Sequence, residues 1–194
     1  MFLNQVYLYN NRCYHIKNIL KNDKMTLWKQ MTWKMFHEIS FHYHPEYRDR
    51  YIDFFDTMRT IIPCKICRDH YQFQLESMRM DDNINQERIF DWTIDLHNHV
   101  NEMHHKKKWS YEESRNTYRH SMKKKWVKYF IYEYIRTNFK KGHHKTEQLL
   151  RMLRSFCYIY NPKRNELIDF ERRFYLDGRN MKSWLYTFIH IISA

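Results

Sequence analysis

Ile89-Phe90-Asp91-Trp92-Thr93-Ile94-Asp95-Leu96-His97-Asn98-His99-Val100-Asn101-Glu102-Met103 is the stretch on which the reading of this chain turns. Ile89, Trp92, Thr93, Leu96, Val100 and Met103 recur at three- and four-residue intervals, the period of one helix face. His97 and Asn101 are four apart and also share a face. Two polar groups on the apolar side of a helix are costly unless hydrogen-bonded. A planar polar cofactor would satisfy them; so would a pair of core hydrogen bonds or a wet helix face.

Working outward, the same period recurs. Trp28, Met31, Met35, Phe36, Ile39 and Tyr43 predict a helix that Pro45 ends, and Trp33 and His37 repeat the four-residue pairing of an aromatic ring and an imidazole. Tyr47, Tyr51, Phe54, Phe55, Met58 and Ile62 predict a second helix up to Pro63. A third starts at Pro63, which suits a first helical turn, and runs through Met78; Asp81-Asp82-Asn83 reads as a loop before the stretch quoted above. His104 to Lys108 is a polar stop, and Ser110 with Glu113 has the spacing of a capping box that opens a short fifth helix. Further stripes follow at Trp126, Phe130, Tyr134, Ile135 and at Leu149, Leu150, Leu153, Phe156, with Gly142 as a helix end and Gly178 and Asn180 as a turn before a last short helix. Only two glycines and three prolines interrupt 194 residues, so the expected class is all-α.

The chemistry is concentrated in Pro63-Cys64-Lys65-Ile66-Cys67-Arg68. Two cysteines three apart share a face of a helix. In its first turn they feel the positive end of the helix dipole, which stabilises a thiolate, and Arg68 adds charge nearby. Such a pair closes a disulfide readily. Half of a zinc site completed by His70, His97 or another histidine is the bland alternative, although a zinc ribbon needs a second CxxC that is absent. A thioredoxin-like fold needs strands and a βαβ pattern, which the sequence does not offer.

Trp33-Lys34-Met35-Phe36-His37, Pro63-Cys64-Lys65-Ile66-Cys67-Arg68 and His97-Asn98-His99-Val100-Asn101 together resemble, in order and spacing, the W-x-x-L-H, P-C-x-x-C-R and H-N-x-V-N signatures of the Erv/ALR flavin-linked sulfhydryl oxidases, and the minimal viral members most of all. Trp28, Tyr43, Trp92 and Lys106 match further positions, and the resemblance covers about residues 25–120. Lys29-Gln30-Met31 departs from the usual Gly-Pro-Pro entry, and Phe36 stands for the usual leucine. The resemblance implies a four-helix bundle with a short fifth helix, a homodimer, and FAD held by Trp33, His37, Tyr43, His97, Asn98, Val100, Asn101 and Lys106. It implies that Cys64 exchanges with dithiols of protein substrates, that Cys67 faces the flavin, and that O2 becomes hydrogen peroxide. No metal is expected.

The rest of the chain is read from charge. Net charge is +3 over residues 1–24, −1 over 25–120 and +10 over 121–194, giving +12 in all. This divides the chain into an N-terminal extension, a near-neutral oxidase-like domain and a basic helical C-terminal module. The basic module is expected to be either a solvated helical surface or a contact for nucleic acid or an acidic partner. No secretory signal is visible in the first twenty residues, and no apolar run reaches the roughly 18 residues that cross a bilayer. A cytoplasmic viral assembly site, or the mitochondrial intermembrane space, would suit such an enzyme. Cys13 and Cys157 are expected to be non-catalytic, so that a separate thioredoxin-like partner feeds Cys64.

Overall fold

The computed structural model describes residues 24–120, 124–139, 144–177 and 179–194, with the side chains of 24–26 excepted. Cys13, Gly142, Gly178 and the Ser121–Lys123 junction lie outside the described residues. The described residues are helical, without a strand, as the apolar period predicts. The helices are α1 (Lys24–Phe41), α2 (Arg48–Ile61), α3 (Lys65–Ser77), α4 (Met80–Asn83), α5 (Ile89–Met103), α6 (Tyr111–Tyr118), α7 (Lys124–Asn138), α8 (His144–Ile159), α9 (Arg164–Arg173) and α10 (Met181–Ile191). None is long and apolar enough to cross a membrane.

The breaks have local causes. His44 is extended before Pro45, as the proline ring demands of the residue it follows, and Pro45 opens a single 3-10 turn, Pro45–Tyr47. Ile62 is extended before Pro63, which separates α2 from α3. Ser110 and Glu113 form the expected capping box: the Ser110 hydroxyl accepts from the Glu113 N–H and the Glu113 carboxylate accepts from the Ser110 N–H. One expectation needs correction. Asp81-Asp82-Asn83 is not a loop but most of the one-turn helix α4. Arg79 turns left-handed at φ 46°, Met80 is buried, and the Asn83 amide donates to the carbonyls of Met78 (2.8 Å) and Arg79 (3.0 Å). A single turn held by one buried side chain and one amide leaves no periodic pattern to read.

α1, α2, α3 and α5 form the bundle, with α6 closing one end against α1 and α5. Met35, Phe36 and Ile39 from α1 meet Tyr51, Phe54, Phe55 and Met58 from α2, all 1% exposed or less. The C-terminal helices continue this core: α7 packs on α1, and α8 packs along α2. Phe54 of α2 lies 6.2 Å from Phe156 of α8, which lies 6.3 Å from Phe130 of α7 and 6.1 Å from Phe188 of α10. Across the rim, Arg151 of α8 bonds Asp53 and Asp56 of α2. Arg164 of α9, 7% exposed, donates to the carbonyls of Tyr158 (3.0 Å) and His42 (3.2 Å), tying α9 to the end of α1.

Two polar groups of α7 enter the bundle itself. The Thr32 hydroxyl gives its proton to the Trp28 carbonyl at 2.9 Å, so the buried Tyr134 hydroxyl is the donor in its 2.8 Å bond to Thr32. The buried Asn138 amide donates to the Ile61 carbonyl at 2.8 Å and to the Tyr134 carbonyl at 3.0 Å. Ile61 is the last residue of α2, where carbonyls lack helical partners, and Cys64 follows three residues later. Asn138→Ala would leave that buried carbonyl unpaired and lower unfolding stability by about 1–3 kcal/mol, measured as a fall in urea midpoint at unchanged slope.

Candidate active site

Cys64 is the N-cap of α3. Its backbone is extended and its Sγ accepts the Cys67 N–H at 3.3 Å, taking the place a serine or aspartate oxygen usually fills. Arg68 holds the approach: its guanidinium donates to the carbonyls of Ile62 and, at 3.4 Å, Pro63, and its backbone N–H bonds the Cys64 carbonyl at 3.0 Å. Both thiols are free and half-buried, and Cys67 packs against the core.

The two thiols are unequal. Burial pushes the Cys64 thiol up, but hydrogen bonds from the Cys67 thiol and N–H, the Lys29 charge and the Ile66 N–H outweigh it, and the result lies below the ordinary value. Burial pushes Cys67 up to about 11, with the hydrogen bond to Cys64 and the Cys64 charge acting in the same direction and Lys29 opposing. Of the two, Cys64 is therefore the more readily deprotonated, and the Cys67 thiol is the donor to it. Tyr134 of α7 stands near enough for the Cys67 charge to raise its own phenol pKa, alongside the larger effect of burial.

On α1, Lys29, Trp33 and His37 succeed one another at four-residue steps, so one stripe runs from the dithiol to the middle of α5. There the Trp33 ring stacks on His97 with centroids 4.4 Å apart and planes within 6°. His97 in turn faces Trp109 at 6.2 Å. Behind them a hydrogen-bond relay fixes the imidazoles. The Thr93 hydroxyl donates to the Phe90 carbonyl at 2.8 Å, so it can only accept from His37 Nδ1 at 3.1 Å. A neutral His37 then accepts at Nε2 from His97 Nδ1–H at 3.0 Å, which leaves His97 Nε2 an open acceptor. Neutrality follows from the surroundings: burial, then the neighbouring His97, holds His37 well below the usual histidine range. Burial, then Lys106, lowers His97 to about 4.

The remaining sequence-predicted residues occupy different places. Asn98 bonds the Trp109 backbone from both sides, donating to its carbonyl at 2.9 Å and accepting its N–H at 2.8 Å. Asn101 donates to the Lys107 carbonyl at 3.2 Å, and its own carbonyl accepts the Lys106 N–H at 2.8 Å. These two amides shape the 104–110 loop and bring Trp109 to the ring stack. Val100 is half-buried on α5. Lys107 pairs with Glu113 and Lys108 with Glu102, whereas Lys106 makes no ion pair among the described residues. Tyr43 is apart from the ring stack: it is buried against Tyr51, 4.7 Å between centroids, with its hydroxyl toward the Ile84 carbonyl at 3.4 Å. Thr93, Trp109 and Lys29 join the site without having been singled out for it. Thr93 was hidden as one more member of an apolar stripe, and a tryptophan in a lysine-rich loop was the available sign for Trp109. Lys29 had only its departure from the family pattern.

These residues fit a planar group with a polar edge and phosphates. Trp33 and Trp109 bring indole rings to the site, His97, on which both stack, an unmatched Nε2 acceptor, and Lys106 a cation without an ion pair among the described residues. Among the described residues no three His, Cys, Asp or Glu side chains are grouped to hold a metal ion.

Comparison with known proteins identifies the family. The model of the Erv1 / Alr family matches residues 30–127, and the chain belongs to that family. A probable FAD-linked sulfhydryl oxidase of Acanthamoeba polyphaga mimivirus is 33% identical over 93 residues, which is 45% of this chain and 65% of that protein. The chain thus spans less than two thirds of that relative's length. No solved structure matches the chain.

The neutral imidazoles give stability a pH dependence with a definite sign. His97 titrates near 4 when folded and near 6.5 when unfolded, so the unfolded chain takes up the proton first. Its contribution is complete above about pH 6.5 and is lost as pH falls toward 4, on the order of 3 kcal/mol. Urea unfolding of the ligand-free protein at several pH values should show this fall, and His97→Gln should flatten it.

Proposed function

We propose that this Erv1 / Alr family chain is an FAD-dependent thiol oxidase that makes disulfides in protein substrates and reduces O2 to hydrogen peroxide. The observation that carries the proposal is the unequal dithiol at the first turn of α3: a lowered Cys64 thiol at the helix start and a raised, core-packed Cys67 behind it. The family, and the printed name of the mimivirus relative, support the choice of cofactor and reaction class. A cytoplasmic viral assembly site is the setting we propose.

In the oxidised enzyme a substrate thiolate attacks Cys64 Sγ. The substrate–Cys64 bond forms, the Cys64–Cys67 bond breaks, and Cys67 leaves with the electron pair. The second substrate thiolate then attacks its neighbouring sulfur, closing the substrate disulfide and expelling Cys64. A leaving thiol departs faster the lower its pKa, and the α3 amides and Lys29 lower that of Cys64. FAD, when bound, would supply a two-electron acceptor for the reduced Cys64–Cys67 dithiol, with O2 as the final oxidant. Trp33, His97 and Trp109 would hold its rings and Lys106 a phosphate, while His37, Asn98 and Asn101 fix those residues in place. Val100 would contribute apolar contact, and Tyr43 acts through the packing of α1 on α2.

The purified full chain should be yellow, and acid precipitation should release free FAD. Cys64→Ser and Cys67→Ser should both lose dithiothreitol oxidation, and only Cys64→Ser, which keeps the inner thiol, should show a long-wavelength charge-transfer band. A colourless protein that cannot be reconstituted with FAD overturns the proposal.

A further inference from the structure

α3 has two faces of different character. Cys67, Tyr71, Gln74 and Leu75 point inward, and the Tyr71 hydroxyl donates to the Phe55 carbonyl at 2.9 Å. Ile66, Asp69, His70 and Phe73 fall on the opposite stripe at three- and four-residue spacing, and all four are exposed. Ile66 and Phe73 are each 66% exposed in a chain that buries most of its large apolar side chains. They stand two turns apart, about 10 Å along the axis.

We propose that this outward stripe, with Ile66 and Phe73 as its apolar anchors, is the docking surface for the protein dithiol that exchanges with Cys64. The inference rests on the thiol-exchange reading above and adds where the partner sits and how it is recognised. Ile66 lies between the two cysteines in the first turn. A mixed disulfide brings the partner's sulfur to about 2 Å from Cys64 Sγ, so the chain flanking the partner's cysteine must pass over the solvent side of this turn. The other side is closed, since Cys67 packs against the core.

The charges that flank the stripe are largely engaged within the chain. Lys65 is paired with Asp69 at 2.7 Å on the stripe's edge, and the Arg68 guanidinium is turned onto the Ile62 and Pro63 carbonyls. Lys29 leaves one cation near Cys64 with no ion pair among the described residues, and the stripe beyond it offers apolar area. The fitting partner is a small redox protein whose dithiol is ringed by apolar side chains, bound with little sensitivity to salt.

The test isolates docking from flavin chemistry. In a Cys13→Ser, Cys67→Ser chain, Cys64 is converted to its mixed disulfide with 2-nitro-5-thiobenzoate; Cys157 is fully buried and stays unmodified. Release of the coloured thiolate is followed with reduced thioredoxin and with dithiothreitol, before and after Ile66→Ser with Phe73→Ser. The expected result is a fall of roughly tenfold or more with thioredoxin and a change under about twofold with dithiothreitol, with the thioredoxin rate insensitive to salt. An unchanged thioredoxin rate overturns the proposal, as does an equal fall with both reductants. So does a wild-type dimer that the double change dissociates while the thioredoxin rate is kept, which would assign the stripe to a second copy of the chain. The readout needs neither FAD nor O2, so a colourless protein would overturn the oxidase proposal without touching this one.

Discussion

One hydrogen bond organises the chemistry of this chain: the Cys67 N–H given to Cys64 Sγ at the first turn of α3. Helix starts carry amide protons that no helical carbonyl can accept. A sulfur placed there meets partial positive charge from the backbone itself, and its anion is stabilised before any side chain contributes. The same placement puts the second sulfur one turn inside, against apolar neighbours that disfavour its charge. An unequal pair thus follows from where two cysteines sit on a helix, and the rest of the bundle serves to keep that helix start in place. Pro63 sets the break before it, and Arg68 reaches back to the carbonyls of the break.

The sequence disclosed the helices because their apolar residues keep one period, and the dithiol because its spacing and its proline are local signals. It also disclosed Trp33, His37 and His97 as a set, and the structure brings their rings together. It could not disclose how they are joined. The His37–His97 bond spans sixty residues, and its polarity is decided by a threonine whose proton is already committed to a carbonyl. Nor could it disclose that Asn98 and Asn101 spend their amide protons on a loop backbone, since an asparagine reads the same whether it faces a ligand or a turn. The one-turn α4 was missed for want of length.

Residues beyond 121 looked distinct because their charge is distinct, and charge reports on the surface alone. Their buried residues follow the same apolar logic as the bundle, and Phe130, Tyr134, Leu153 and Phe156 belong to the same buried cluster as Phe36 and Phe54. A basic exterior and a shared interior are compatible because each helix of this region is amphipathic.

The bonds from Tyr134 to Thr32 and from Asn138 to Ile61 join residues 102 and 77 positions apart. During synthesis the amino-terminal end emerges first, so the CxxC segment leaves the ribosome well before the helix that closes over it. The nascent chain therefore carries its two thiols for a time without Tyr134 on Thr32 and without Asn138 on the carbonyl of Ile61. Contacts between such distant positions are also the slow part of folding, because their loop entropy is lost before their bonds are gained. Packing around the dithiol is thereby tied to synthesis of α7: the carbonyl that ends α2, three residues before Cys64, gains its buried partner only after the CxxC segment has left the ribosome.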